Sequence, residues 1–265
     1  MKLPSRTLVS LGVLAAVLAP CARALPEGEA SAGRLIARRY GDAIVGVRGS
    51  VYMKISIGLR TLPATERKID ISGTMIAASG LTLTSLSAVD PREIFDSMRG
   101  QFNTGGDPVE LSQTDFKNMR LRTGDGAEIP AKIVWKDPEH DLVLLAPTDT
   151  ASNRTFSYID LNQSADSASV LGDYYQLSRA NEAFHRVLLV RACTFTGIVE
   201  RPRRLFLVST DMYPDALGCP VFDPEGHPIG ICLNNIDKGR PSGVMVVPAT
   251  DLAAAIGQAS PEQRP

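Results

Sequence analysis

Apolar and polar residues alternate over short stretches along most of the chain, which is the pattern of β-strands that bury one face. The alternation is clear at 43–48, 51–57, 71–76 and 129–135, and the run Asp141–Leu145 predicts a buried strand. Turn signals such as Gly124-Asp125-Gly126 separate these stretches. Further short strands are predicted at 187–192, 197–200, 205–209, 220–223, 229–233 and 244–247. Many short strands with such turns favour an all-β barrel or sandwich.

Helical patterns are short. Residues 31–40 and 248–257 each predict a helix, and 92–98 predicts another inside the long, weakly patterned segment 90–118. Segments of this length without a regular pattern are usually functional or mobile. We therefore expect residues 90–118 to form an insertion, and this insertion is a candidate contact surface for a partner.

Residues 1–24 have the pattern of a secretory signal peptide. Lys2 and Arg6 precede an apolar run that is too short to span a bilayer, and Ala22-Arg23-Ala24 is an A-x-A cleavage site. A membrane anchor, or a lipoprotein box ending at Cys21, is the alternative. The pattern predicts export to the bacterial periplasm or the extracellular space, with residues 25–265 as one mature domain.

Composition narrows the class of protein further. Cleavage after residue 24 removes three basic residues and no acidic one from a chain with 28 basic and 29 acidic residues, so the mature chain is mildly acidic. This argues against nucleic acid as a main partner. No second apolar stretch is long enough for a membrane span. No tight C-x-x-C spacing supports a metal site, although the remaining cysteines with His227 leave one conceivable, and no cofactor is expected.

Four stretches resemble the Deg/HtrA family of trypsin-like serine peptidases. They are Ser72–Val89, Asp125–Leu145, Thr196–Val199, and Thr210–Ile231 with Gly243–Pro248. The family reads TDA…GNSGGP before a hydrophobic strand, a D-G turn and I-G-I, and this chain reads D-A-L-G-C-P there. The resemblance spans about residues 34–253.

This resemblance implies the trypsin-like (chymotrypsin) fold, with two six-stranded antiparallel β-barrels and short terminal helices. The barrels are expected at roughly 34–150 and 151–250 within a single peptidase domain. Family members usually carry a PDZ domain after the barrels. We expect none here, because too few residues follow Val247 to form one.

On this alignment the chemical positions of the family are substituted. Ser87 stands in place of the catalytic histidine and Leu217 in place of the nucleophilic serine, whereas Asp141 matches the aspartate that orients the histidine. Leucine cannot attack a carbonyl, and a hydroxyl is no useful base near neutral pH. Asp215 replaces an oxyanion-hole glycine, where its carboxylate would repel developing negative charge. We therefore expect no functional catalytic residue, and Asp141 to be a buried carboxylate bonded to the backbone or to Ser87.

Three histidines and three cysteines complete the candidate chemistry. His140 and His185 are expected to be exposed, and His227 to belong to a turn. Counting outward from the turn at 223–228 sets Cys219 opposite Cys232, within disulfide reach in a non-hydrogen-bonded pair. This predicts a Cys219–Cys232 bond with Cys193 free, and three buried free thiols are the alternative. The family resemblance implies that such a bond would lie beside the specificity pocket.

The leading hypothesis is an exported pseudopeptidase that binds a protein or an extended peptide in the cleft between its barrels. One alternative is an active Deg/HtrA-like serine endopeptidase, with the alignment wrong at the chemical positions. Another is a structural envelope protein without a specific ligand. The sequence leaves the oligomeric state open.

Overall fold

The computed structural model describes residues 27–99, 102, 106–148, 154–165, 168–208, 214–237 and 240–258. The predicted signal peptide and Cys21 lie outside these residues. The helices are α1 (Glu27–Tyr40), α2 (Leu86–Val89), α3 (Pro91–Arg99) and α4 (Ala249–Gln258). The strands are β1 (Ile44–Ile57), β2 (Arg60–Thr61), β3 (Thr65–Met75), β4 (Thr82–Ser85), β5 (Val109–Arg122), β6 (Glu128–Asp137), β7 (Leu142–Pro147), β8 (Asp173–Arg179), β9 (Leu188–Val199), β10 (Leu205–Val208), β11 (Pro220–Phe222), β12 (Pro228–Asp237) and β13 (Arg240–Pro248).

The strands form two antiparallel barrels, as predicted. In the first barrel the order is β1-β3-β4-β7-β6-β5, and β5 pairs again with β1, so that six strands close; β2 is a short addition beside β1. The second barrel closes in the order β10-β13-β12-β11-β8-β9. Because closure leaves few free strand edges, most backbone hydrogen-bonding groups of the strands are paired inside a barrel.

Two long strands were each predicted as two short ones. β1 continues through Gly49 and Ser50, which both pair with β3, and Ser50 pairs with β5 as well. β9 joins the predicted strands at 187–192 and 197–200. β8 was not predicted, because Tyr174, Tyr175 and Leu177 are all buried and the strand therefore lacks the alternation of a half-buried strand.

The prediction that residues 90–118 form an insertion is wrong for its second half. The helix α3 lies where 92–98 predicted it, but residues 109–118 belong to β5 and pair with β1 along its length. Two register shifts, near Ser112 and near Asn118 with its φ of 56°, interrupt the two-residue period there. Because most of this strand is polar and its register shifts twice, the sequence shows no alternation of apolar and polar residues there.

The two barrels are joined through a buried arginine. Arg179 at the end of β8 donates from Nε to the carbonyl of Ile44 (2.6 Å), from Nη2 to that of Gly41 (2.9 Å) and from Nη1 to that of Arg186 (3.1 Å). Burial of the guanidinium is tolerated because each of its nitrogens has a carbonyl partner. Within the described residues no helix is long and apolar enough to cross a membrane.

Candidate active-site region

Asp141 lies immediately before β7 and is almost fully buried, with 1% of its surface exposed. Its Oδ2 accepts hydrogen bonds from the Ser85 hydroxyl (2.6 Å) and from the backbone N–H of Asn234 (2.9 Å). Its Oδ1 accepts from the backbone N–H of Ser87 (2.7 Å). Since Asn234 is on β12 of the second barrel, this carboxylate bonds both barrels, and the prediction of a buried, backbone-bonded Asp141 is confirmed.

Ser87 completes this group. Its hydroxyl accepts from the side-chain amide of Asn234 (2.8 Å) and lies 3.2 Å from the hydroxyl of Ser85. The structure therefore brings together Ser87 and Asp141 and adds Asn234, which the sequence analysis missed. In the sequence, Asn234 directly follows the apolar run at 229–233 and belongs to no recognisable motif. Its contact with Asp141 is therefore evident only in the folded barrels.

Two opposing effects act on the Asp141 carboxyl. Burial raises its pKa above the ordinary 3.8, and the hydrogen bonds from Ser85, Ser87 and Asn234 lower it; burial is the larger effect. The donors around the carboxylate are two backbone N–H groups and a hydroxyl, and none of them can take a proton from a nucleophile near neutral pH.

Leu217 lies in a tight turn between a short 3-10 turn (Pro214–Ala216) and β11. The N–H of Cys219 donates to the carbonyl of Ala216 (3.1 Å), and Gly218 at the third position has a φ of 77°. This is the geometry of a type II turn, which requires glycine at that position. The Leu217 side chain is 9% exposed, so an aliphatic group lies buried at the position predicted for a nucleophile.

The turn also packs tightly against the first barrel. The Thr74 hydroxyl donates to the carbonyl of Gly218 (2.7 Å), and the Thr84 hydroxyl donates to the carbonyl of Ser72 (2.8 Å). A Cβ on Gly218 would come within 2.6 Å of Thr84 Oγ1 and closer still to the Ser72 carbonyl oxygen. Because Thr84 directly precedes Ser85, the Leu217 turn and the Asp141 group both contact β4.

Asp215 is paired with a cation that the sequence analysis missed. Its Oδ2 lies 2.8 Å from Arg191 Nη2 on β9, and Arg191 Nη1 donates to the Ser178 hydroxyl (3.3 Å). Its Oδ1 is buried without a hydrogen-bond partner among the described residues. The guanidinium offsets the negative charge that a lone carboxylate would have placed beside Leu217.

The predicted disulfide is not formed, and Cys193, Cys219 and Cys232 are all buried free thiols. The N–H of Cys232 donates to the carbonyl of Cys219 (2.9 Å), whereas the carbonyl of Cys232 accepts from the N–H of Gly218 (2.8 Å). Cys219 and Cys232 are therefore not the non-hydrogen-bonded pair that the prediction assumed. The Cys219 thiol instead lies 3.3 Å from the Asp215 carbonyl, and Cys232 Sγ lies 3.7 Å from Gln176 Nε2.

The other candidate nucleophiles and bases are the buried Cys219 thiol and the three histidines. Burial raises the pKa of the Cys219 thiol to about 12, so it stays protonated and unreactive at neutral pH. His140 Nδ1 lies 2.6 Å from Asp137, and His227 Nδ1 lies 2.9 Å from Asp223 within the predicted turn. His185 is exposed, also as predicted. Among the described residues no cluster of side chains suits a metal ion.

The comparisons with known proteins agree with this geometry. The trypsin-like peptidase domain family matches residues 71–231, which is more than half of the chain. The fold is similar to that of Deg5, with a TM-score of 0.53 and 16% identity over 87% of this chain and 94% of that one. It is also similar to the HtrA-type protease AlgW with a decapeptide, with a TM-score of 0.53 and 17% identity over 86% and 66%.

An inactive form of Rv3671c from M. tuberculosis H37Rv is similar as well, with a TM-score of 0.51 and 14% identity over 85% of this chain and 92% of that one. No curated protein sequence matches. The two antiparallel barrels define the class of trypsin-like folds. The chain belongs to the trypsin-like peptidase domain family.

Proposed function

We propose that this protein is an exported, single-domain pseudopeptidase that binds an extended segment of a partner protein without cutting it. The observation that carries the proposal is the closed hydrogen-bond group of Asp141. In a peptidase triad the carboxylate orients an imidazole, which takes the proton of the nucleophile. Here the hydroxyl of Ser85 and the backbone N–H groups of Ser87 and Asn234 use the carboxylate instead.

The aliphatic side chain of Leu217 supports the same proposal. Leu217 has no group that can form a covalent intermediate, and the neighbouring Cys219 thiol is kept protonated by burial. Loss of both the nucleophile and the base removes the whole contribution of the triad to the catalytic rate, because triad residues act as a unit.

Peptide binding is supported by an open strand edge in the cleft. β11 pairs with β12 only as far as Ile231, whereas β13 pairs with β12 as far as Asp237. On the side away from β13, β12 therefore continues beyond its last strand partner among the described residues, and Asn234 there bonds Asp141. An extended peptide can add to such an edge through its own backbone.

A fluorophosphonate probe tests the loss of activity. We expect no labelling of the native chain, and we expect the double variant Ser87→His/Leu217→Ser to be labelled above the native level, because it restores a base beside Asp141 and a hydroxyl in the turn. The single variant Leu217→Ser is the matched control and should label poorly. Labelling of the native chain would establish the alternative, an active serine endopeptidase.

Retention of unfolded β-casein on the immobilised protein tests binding. We expect casein to be retained and to stay intact. Since alternate residues of a strand face the same edge, Ile236 presents its N–H on the same side as Asn234, and Ile236→Pro should remove one donor from the open edge without removing a bond to β13. A melting temperature close to that of the native chain shows that the variant is folded. Unchanged retention by Ile236→Pro would argue against strand addition, and no retention at all would favour the structural envelope protein.

A further inference from the structure

A second strand edge is open on the first barrel, far along the chain from the cleft residues. β5 pairs with β6 only at Arg120–Arg122, after which β6 turns to pair with β7. On the side away from β1, residues 109–119 of β5 have no strand partner among the described residues. Between its two register shifts, residues 113–117 of this edge keep one register and present a row of backbone N–H and C=O groups that another extended chain can match.

The helix α3 packs against β5, and the residue just before the helix is tied to β6. Its residues Ile94 and Phe95 are buried in the core of the first barrel together with Val109, and Asp90 just before the helix forms an ion pair with Lys136 on β6. These contacts fix α3 next to β5. The helix and the edge thus form the two walls of a groove.

This groove has a volume of about 370 Å³. One wall is formed by Arg92, Phe95 and Asp96 of α3 and the other by residues 111–114 of β5. Arg92 and Asp96 are exposed, as are residues 112–114 of the edge. Polar and charged walls with an open backbone edge suit a peptide strand better than a small apolar ligand.

We infer that this groove binds an extended segment of a partner protein that adds to the edge of β5 and carries an acidic and a basic residue two positions apart. Four residues along a helix span ~6 Å, which is the spacing of Arg92 and Asp96 along α3. Two residues along a strand span ~6.6 Å. In a segment that runs along α3, side chains at positions i and i+2 match the spacing of the two charges and share one face of the strand. The residues that line this groove differ from those of the Asp141 group and the Leu217 turn, so the inference does not rest on the proposed function.

Two fluorescein-labelled heptapeptides of equal composition test this site by fluorescence polarisation. They are Thr-Val-Asp-Val-Lys-Val-Thr and Thr-Val-Lys-Val-Asp-Val-Thr. We expect one of them to bind at least about tenfold more tightly than the other, because only one order sets opposite charges against Arg92 and Asp96. The exchange variant Arg92→Asp/Asp96→Arg should invert this preference. Lys132→Glu, a charge reversal on β6 outside the groove, should leave both affinities unchanged.

Backbone pairing is tested without altering the protein. The preferred peptide with all of its amide nitrogens methylated should bind at least about tenfold more weakly, since it cannot donate to the edge of β5. Ser87→His/Leu217→Ser should not change peptide affinity, which separates this site from the cleft. Failure of both peptides to bind, equal binding of the methylated peptide, or no inversion by the exchange variant would each overturn the inference. A native dimer that the exchange variant dissociates, seen by light scattering, would also overturn it, because the groove would then be an interface between two copies.

Discussion

Gly218→Ala is the sharpest test of the turn that holds Leu217. Alanine at a φ of 77° costs about 1–2 kcal/mol relative to glycine. Its Cβ would lie within 2.6 Å of Thr84 Oγ1 and closer to the Ser72 carbonyl oxygen, so the turn or β4 must shift. Such overpacking costs about 1–3 kcal/mol. Losing the 2.8 Å bond from Thr84 to Ser72 adds about 1 kcal/mol.

Alanine also lowers the conformational entropy of the unfolded chain, which stabilises the folded state by about 0.4–1 kcal/mol. The expected loss in the free energy of unfolding is therefore about 2–5 kcal/mol, a large part of the total stability of a typical domain. Urea unfolding followed by circular dichroism measures this loss directly. At about 2–4 °C per kcal/mol for a domain of this size, the melting temperature should fall by roughly 4–20 °C.

Gly226→Ala is the matched control. Gly226 has a φ of 86°, but a Cβ there would meet only Ile36 Cγ1 at 3.6 Å, an ordinary contact. This variant carries the backbone cost without the clash and should lose at most about 2 kcal/mol. If the two variants lose equal stability, the close approach of Gly218 to the first barrel is not what the structure indicates, and the reasoning about the turn fails.

Three further predictions concern the site. Because burial raises the pKa of Asp141 above 3.8 in the folded state, its contribution to stability is full when it is protonated at low pH and is lost as the pH rises through the folded pKa. Asparagine cannot ionise, so as the pH rises from about 4 to 7 the unfolding free energy of Asp141→Asn should fall less than that of the native chain. Urea titrations at a series of pH values measure both, and a larger fall for Asp141→Asn would contradict the raised pKa. Cys193 and Cys219, with pKa values raised by burial to about 12, should resist iodoacetamide in the folded chain and react in urea, as read by mass spectrometry; rapid labelling of the folded chain would contradict their burial. A double-mutant cycle with Arg191→Gln and Asp215→Asn should give a coupling energy of about 0.5–1 kcal/mol, since both side chains are about one-third exposed and the pair is partly screened; zero coupling would show that the ion pair adds nothing to the turn.

The fold was predictable because its signals are local. The alternation of short strands predicted an all-β barrel or sandwich, and the four family-like stretches predicted two barrels. β8 was missed because both of its faces are buried, which removes the two-residue period. Most of β5 was missed because it is polar and its two register shifts break the same period.

The site was predictable only in part, for a related reason. Ser87 and Asp141 could be paired from the alignment, since each belongs to a recognisable stretch. Asn234 and Arg191 could not, because they reach Asp141 and Asp215 from other strands across 93 and 24 residues of sequence. The predicted disulfide failed on a detail of main-chain geometry, since strand register alone does not tell a hydrogen-bonded pair of residues from a non-hydrogen-bonded one.

The persistence of Asp141 has a physical explanation that needs no catalysis. Replacing it with an apolar residue would leave the Ser85 hydroxyl and the N–H groups of Ser87 and Asn234 buried without an acceptor, at about 1–3 kcal/mol for each. The Ser87 hydroxyl in turn accepts from the Asn234 amide, so the four side chains form one connected group between the barrels. Leu217 has no such polar partners to satisfy, and the turn around it depends on the backbone of Gly218 rather than on a nucleophile. A carboxylate that joins two barrels is therefore constrained by stability even where the residues it would assist in a peptidase are free to change.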